Sequence, residues 1–141
     1  MSGLSADPER AAIAEVERLH AFLAAWFQGR VATDRFEPDF AGHLHPEFEN
    51  IQPAGTVLPK QVILDQIEAA HGSNPDFEIA IEEPRLLAAY PEAGLIHATY
   101  VEAQTGAKNS ARENRRRSTA LFEIAGDRLL WRHLQETGLP R

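Results

Sequence analysis

The sequence predicts an α+β fold in which three N-terminal helices pack on a curved antiparallel sheet, and three observations lead to that reading. Apolar residues recur every three or four positions in the first half of the chain, the period drops to two beyond Pro75, and no internal repeat, low-complexity tract or linker divides the whole. Helices first and strands afterwards is the order of segregated α+β domains. A chain of 141 residues, 43% of them hydrophobic, has the size of one domain and buries about 70% of its unfolded surface around a single core. The domain is expected to span residues 1–141, with 1–6 disordered.

Asp7, Pro8 and Glu9 open the first helix, with Asp7 as N-cap, Pro8 where a missing N–H costs nothing, and Glu9 beside the positive end of the dipole. Ile13, Val16, Leu19, Leu23, Trp26 and Phe27 follow as one apolar stripe, and Gly29 offers the stop. Thr33 or Asp34 caps a short second helix in which Phe36 and Phe40 lie one turn apart and close one end of the core. A loop from His43 leads into a short strand over residues 48–51, broken by Pro53 and Gly55. The third helix begins at Pro59, carries Val62, Ile63, Ile67 and Ala70, and stops at Gly72. Phe77, Ile79 and Ile81 then alternate with Glu78, Ala80 and Glu82, and three more strands are expected at 95–104, 115–125 and 129–137.

Composition removes several classes of function. A net charge of −7 repels nucleic acid and anionic membranes at long range, so neither is an expected partner. The apolar runs fall far short of the roughly 20 residues that a membrane span needs. Nothing at the N-terminus resembles a signal peptide, and a cytoplasmic location is expected. Without cysteine there is no disulfide, thiolate nucleophile or cysteine-held metal, so any chemistry falls to carboxylates, histidines, tyrosines and arginines. The run Arg112, Arg115, Arg116, Arg117 reads as a solvated strand end, with anion binding as the alternative.

A two-residue turn at Gly126-Asp127 would pair Phe122 with Trp131, Ala120 with His133 and Ser118 with Gln135. One face then runs from greasy near the turn to polar at the far end through Arg116, Ser118, His133 and Gln135, as a core opening into a pocket would. The reverse face, with Leu121, Leu130 and Leu134 among an Arg117–Glu136 pair and other polar residues, is expected to form a homodimer contact through the back of the sheet.

The order of these elements, the segment Phe48-Glu49-Asn50-Ile51-Gln52-Pro53-Ala54-Gly55, the strand Arg117-Ser118-Thr119 and the closing Trp131-Arg132-His133-Leu134-Gln135-Glu136-Thr137 resemble NTF2-like domains, in particular the SnoaL-like and DUF4440-type families. The resemblance covers nearly the whole chain. It implies a cone-shaped fold whose concave sheet and first helix enclose an apolar cavity, and homodimers. Members include ketosteroid isomerases, polyketide cyclases and dehydratases, so the family implies a pocket and not a reaction. No aspartate in an apolar strand matches the isomerase base and no Tyr and Asp pair matches its oxyanion donors, so isomerase activity is not carried over.

Alternation alone leaves open which face of strand 95–104 points inward; the resemblance favours Tyr100 and Glu102, a phenol and a carboxylate about 7 Å apart on one side. Glu102 buried in an apolar cone would be a usable base, whereas solvated or paired with Arg115 it would be structural. His133 is the second candidate acid or base, and a satisfied core histidine the plain alternative. Trp26, Phe48, Tyr100, Arg116, Ser118, Trp131 and Gln135 are the expected ligand contacts, although most large aromatics at these spacings serve the core. His43, His45, Glu47 and Glu49 alternate like metal ligands, but Pro46 interrupts them, and neither metal nor cofactor is expected. His20 and His71 read as surface or helix-end residues. The expected function is a pocket for a small, largely apolar organic molecule, with cofactor-free proton-transfer or lyase chemistry as its enzymatic form. A module that associates through the sheet back is the alternative, and the volume left between Trp26, Trp131 and Phe48 discriminates the two.

Overall fold

The structure, a computed structural model, describes residues 6–140; apart from Ala6, the stretch expected to be disordered lies outside the described residues. Helix α1 (Pro8–Gln28) begins where Asp7 Oδ1 accepts the Arg10 N–H at 3.0 Å, and it buries Ala12, Val16, Leu19, His20, Phe22 and Trp26. Its C-terminus is closed from outside the helix as well as within. Gly29, at φ 77°, forms the left-handed cap, while Gly72 N and Asn74 N donate to the carbonyls of Trp26 and Phe27. A Cβ on Gly29 would lie 3.1 Å from the Gly72 Cα, so this close approach needs glycine.

The one-turn helix α2 (Phe36–Asp39) stacks Phe36 and Phe40 on Trp26 and Phe22 at the end of the core. Strand β1 (Leu44–Ile51) turns back through Gln52–Thr56 into β2 (Val57–Pro59), an antiparallel edge. Helix α3 (Lys60–Ala69) follows, with Pro59 as its N-cap residue, and lays Ile63, Leu64 and Ile67 against the core. The rest is sheet: β3 (Glu78–Tyr90), β4 (Leu95–Thr105), β5 (Glu113–Ala125) and β6 (Arg128–Gly138).

The six strands run in the order β2-β1-β6-β5-β4-β3. Every pairing is antiparallel except β1 with β6, which is parallel, so the expected antiparallel sheet is in fact mixed. The physical reason is connectivity: α3 and four strands intervene between β1 and β6, which gives the chain the long return that a parallel neighbour requires. Local alternation cannot reveal such a pairing. Two irregularities in β3, one with Glu83 at φ 52°, bend that strand over α1, where Glu9 Oε2 accepts the Leu86 N–H. Helices and curved sheet together enclose a core of Trp26, Phe36, Phe40, Phe48, Ile96, Tyr100, Phe122 and Trp131. No helix among the described residues is long and apolar enough to cross a membrane.

Candidate functional site

The β5–β6 hairpin decides which side chains face the hollow of the sheet. From the Gly126-Asp127 turn the ladder runs as expected through Ala125 with Arg128, Ile124 with Leu129 and Phe122 with Trp131. It then slips: Leu121 pairs with His133, Ala120 with Leu134 and Ser118 with Glu136, leaving Arg132 as an extra residue. Because side chains alternate, one added residue exchanges the two faces of everything beyond it. The expected pairs of Ala120 with His133 and of Ser118 with Gln135 are therefore corrected. Leu134 and Glu136 point inward, and His133 and Gln135 share the outer face with Leu121 and Thr119. The neighbouring strand explains the bulge. β1 breaks its own register with β6 between Leu44 and Glu49, around Pro46, which has no N–H for the ladder, and Arg132 donates to the Glu47 carbonyl at 2.8 Å across the gap.

Two connected chambers occupy the hollow. The inner one, about 200 Å³, has an apolar side built by Leu19, Leu23, Phe40, Phe48, Ile63, Ile67, Ile79, Trp131 and Leu134. Its polar patch is built by His20 of α1 with Asn50, Glu102, Arg116 and Glu136 of the strands. The outer one, about 820 Å³, opens between the Ser73–Phe77 loop and the β4–β5 hairpin loop. Phe27, Gln52, Gln66, Phe77, Gln104 and Arg116 line both and form the neck.

These polar residues form a balanced ionic network. His20 Nδ1 lies 2.7 Å from the Val16 carbonyl, which can only accept, so Nδ1 carries a proton. His20 Nε2 lies 3.1 Å from Glu102 Oε1, and a second proton must therefore sit between them, on one partner or the other. Burial disfavours the imidazolium, yet the Glu102 charge and hydrogen bond outweigh it and hold the His20 pKa above its ordinary value. For Glu102 burial acts to raise the pKa, but His20, the Gln104 amide at 2.6 Å and Arg116 bring it below the usual carboxylate range. Both directions favour the ion pair, with the shared proton on His20. Tyr100 OH stands 3.5 Å from the same Nε2, and burial, with Glu102 and Glu136 nearby, pushes its pKa well up, so it remains a neutral phenol.

Glu136 completes the network and behaves differently. It accepts from Asn50 Nδ2 at 3.0 Å and from Arg116 at 3.1 Å, but burial and the charge of Glu102 raise its pKa against the pull of Arg116. Two carboxylates in one cavity therefore have pKa values pushed in opposite directions, the arrangement that lets one hold a charge while the other exchanges a proton.

Of the residues expected at the site, Phe48, Glu102, Arg116 and Trp131 line the inner chamber. Tyr100 and Ser118 are buried beside it, with Ser118 Oγ lacking a hydrogen-bond partner. Trp26 is core: its indole donates to the Ile67 carbonyl at 2.7 Å and packs against Phe22, Phe36 and His71. His133 and Gln135 lie outside the cone. The expected Arg117–Glu136 pair is replaced by Arg116–Glu136, with Arg117 turned to Glu83. His20 and Glu136 escape the sequence reading, whereas His71 sits at the end of α3 as expected, half-buried, and reaches the Val31 carbonyl. Among the described residues no group of three His, Cys, Asp or Glu side chains is placed to hold a metal ion; His45 pairs with Glu123 and His133 with Glu49.

No family model matches the sequence, and no curated protein matches it. Solved structures do. An NTF-2 like protein of unknown function from Pseudomonas aeruginosa is 27% identical, with a TM-score of 0.82 over 92% of this chain and 99% of that one. A candidate calcium/calmodulin-dependent kinase II association domain from Exiguobacterium sibiricum is 15% identical, with a TM-score of 0.68 over 94% and 93%. A candidate ketosteroid isomerase from Shewanella frigidimarina is also 15% identical, with a TM-score of 0.64 over 90% and 94%. The last two show a shared fold alone. With three helices closed over a curved six-stranded sheet, and with that likeness along nearly its whole length, the chain belongs to the NTF2-like superfamily.

Proposed function

We propose that this protein receives a small, largely apolar organic molecule in the inner chamber and that His20, Glu102 and Glu136 are the groups able to exchange protons with it. The observation that carries the reading is the make-up of the chamber wall, apolar side chains from helices and strands around one cluster of ionisable groups, enclosing about 200 Å³ of space. A cavity of about 150 Å³ already admits benzene. The room here suits a substituted ring, and Trp26, Trp131 and Phe48 leave it open. Enzymatic turnover would be proton transfer or elimination without a cofactor, with the Glu136 carboxylate as the group to take a proton and the His20 imidazolium as the group to lend one. The low pKa of Glu102 suits it to hold His20 charged.

Thermal unfolding against a panel of small organic acids, steroids and aromatic lactones tests this, since a ligand at 100 times its dissociation constant adds about 2.7 kcal/mol. A shift in the native protein that disappears when Ile63→Trp fills the chamber supports the pocket. No shift with any compound turns the reading to association through the outer face of the sheet. There Tyr90 is 51% exposed, and Val101, fully buried, is flanked in the ladder by Glu82 and Arg117. Light scattering on the same sample then decides whether the partner is a second copy.

A further inference from the structure

The outer chamber departs from the charge of the rest of the molecule. The chain carries 21 acidic residues against 14 basic ones, yet among the described residues no aspartate or glutamate lines this chamber, whereas Lys108, Arg115 and Arg116 do. Arg115 is already engaged, with its guanidinium 2.6 Å from Glu82. Lys108 gives one hydrogen bond to the Ser73 carbonyl at 2.8 Å, which leaves two ammonium protons uncommitted by that contact.

Arg116 supplies the second observation. It sits in the neck, its side chain 14% exposed. One terminal nitrogen bonds Glu136 and the other Asn114 Oδ1 at 2.9 Å, but Nε is buried with no partner. A buried donor on a cation is costly to leave unmade, and because the Arg116 side chain lines the neck, a turn of its guanidinium would present that donor to a ligand oxygen there.

From these features, and resting on the pocket proposed above, we infer that the ligand is an amphipathic anion: an aryl or short alkyl carboxylic acid held by its carboxylate at the neck. The apolar body lies in the inner chamber and the carboxylate meets Arg116 Nε, with Lys108 at the rim contributing attraction at longer range. The reverse orientation is disfavoured by the network already described. Deeper in, Glu102 and Glu136 use the positive charge of His20 and Arg116 and would repel a second pair of carboxylate oxygens. Phe27 and Phe77, ring edge to face at 5.4 Å, flank the passage and suit the apolar stem.

Matched probes test the inference on the full chain by titration calorimetry: phenylpropanoate, its primary amide phenylpropanamide, and the alcohol phenylpropanol, with the acid repeated at high salt. The acid should bind about tenfold or more tightly than the amide, because a charge-assisted hydrogen bond exceeds a neutral one by that order. Its affinity should fall with salt, and Lys108→Gln should weaken the acid several-fold while leaving the amide unchanged. If the amide or alcohol binds as well as the acid, or the Lys108 variant weakens all three alike, the anion inference fails and the pocket stands. Absence of binding by every probe overturns both readings.

Discussion

Two histidine–glutamate pairs, one inside the cone and one outside, show how far identical chemistry depends on where the sheet places it. His20 and Glu102 meet at 3.1 Å with side chains 4% and 7% exposed, while His133 and Glu49 lie 3.8 Å apart at 34% and 50% exposure. Water screens the outer pair and leaves it worth little. Inside, each side chain is almost fully covered, so losing its partner leaves it poorly compensated, and the pair is expected to matter for folding as well as for the proposed proton exchange. Sequence reasoning put His133 in the pocket and His20 at the surface, and the placement of His133 turned on one extra residue, Arg132.

Breaking each pair in turn measures that difference. The largest expected effect is that of His20→Ala, which strands the Glu102 carboxylate in the cavity wall and should cost about 3–5 kcal/mol in urea unfolding. Adding Glu102→Gln removes the stranded charge, so the double variant should be more stable than His20→Ala alone. A double variant less stable than the single one would mean that the loss came from packing of the imidazole and not from its charge.

A smaller and more specific effect is expected from pH. The His20 pKa is raised above 6.5, so its contribution to stability is fully present below 6.5 and is lost as pH climbs through the higher folded value. Glu102, lowered from 4.5, contributes above 4.5 and loses that contribution as pH falls through its folded value. The pair is therefore most stabilising between about 4.5 and 6.5. Glu136, raised from 4.5, acts against Glu102 at the acid end, so the alkaline limb isolates His20. The stability difference between the native protein and His20→Gln should shrink as pH rises beyond 6.5. Parallel curves from pH 5 to 9 would show that His20 is not the charged partner.

What could be read from the sequence was local. The Asp7 cap, Pro8 and the apolar stripe define α1 with nothing else needed, and the change of period beyond Pro75 defines the sheet. His20 lies on that stripe, four residues after Val16 and three before Leu23, so its burial carried a signal; polar residues are simply assigned to solvent by default. The bulge left a fainter trace. Leu129, Trp131 and Leu134 are spaced by two and then three, which no uninterrupted strand facing one core would show. Its cause lies in β1 and Pro46, about 85 residues earlier, and in a parallel pairing that no alternation reveals. Phe48, Glu102, Arg116 and Trp131 lie on the chamber wall because they precede the slip or lie on other strands. Glu136 was missed because it follows it.

The smallest expected effect sharpens the comparison most. His133→Ala removes a half-exposed ring from the outer face, where Glu49 remains free to take up water, and should change stability by no more than about 0.5 kcal/mol. It should also leave unchanged the affinity of whatever acid or neutral ring the inner chamber accepts, because no atom of His133 lines that chamber. A loss of several kcal/mol, or of binding, would place the imidazole back inside the cone and require a straight β6 in which Arg132 is paired. A null result at His133 together with a large one at His20 would fix the bulge in solution, since no single uninterrupted register puts Trp131 and Leu134 on the same side of the sheet.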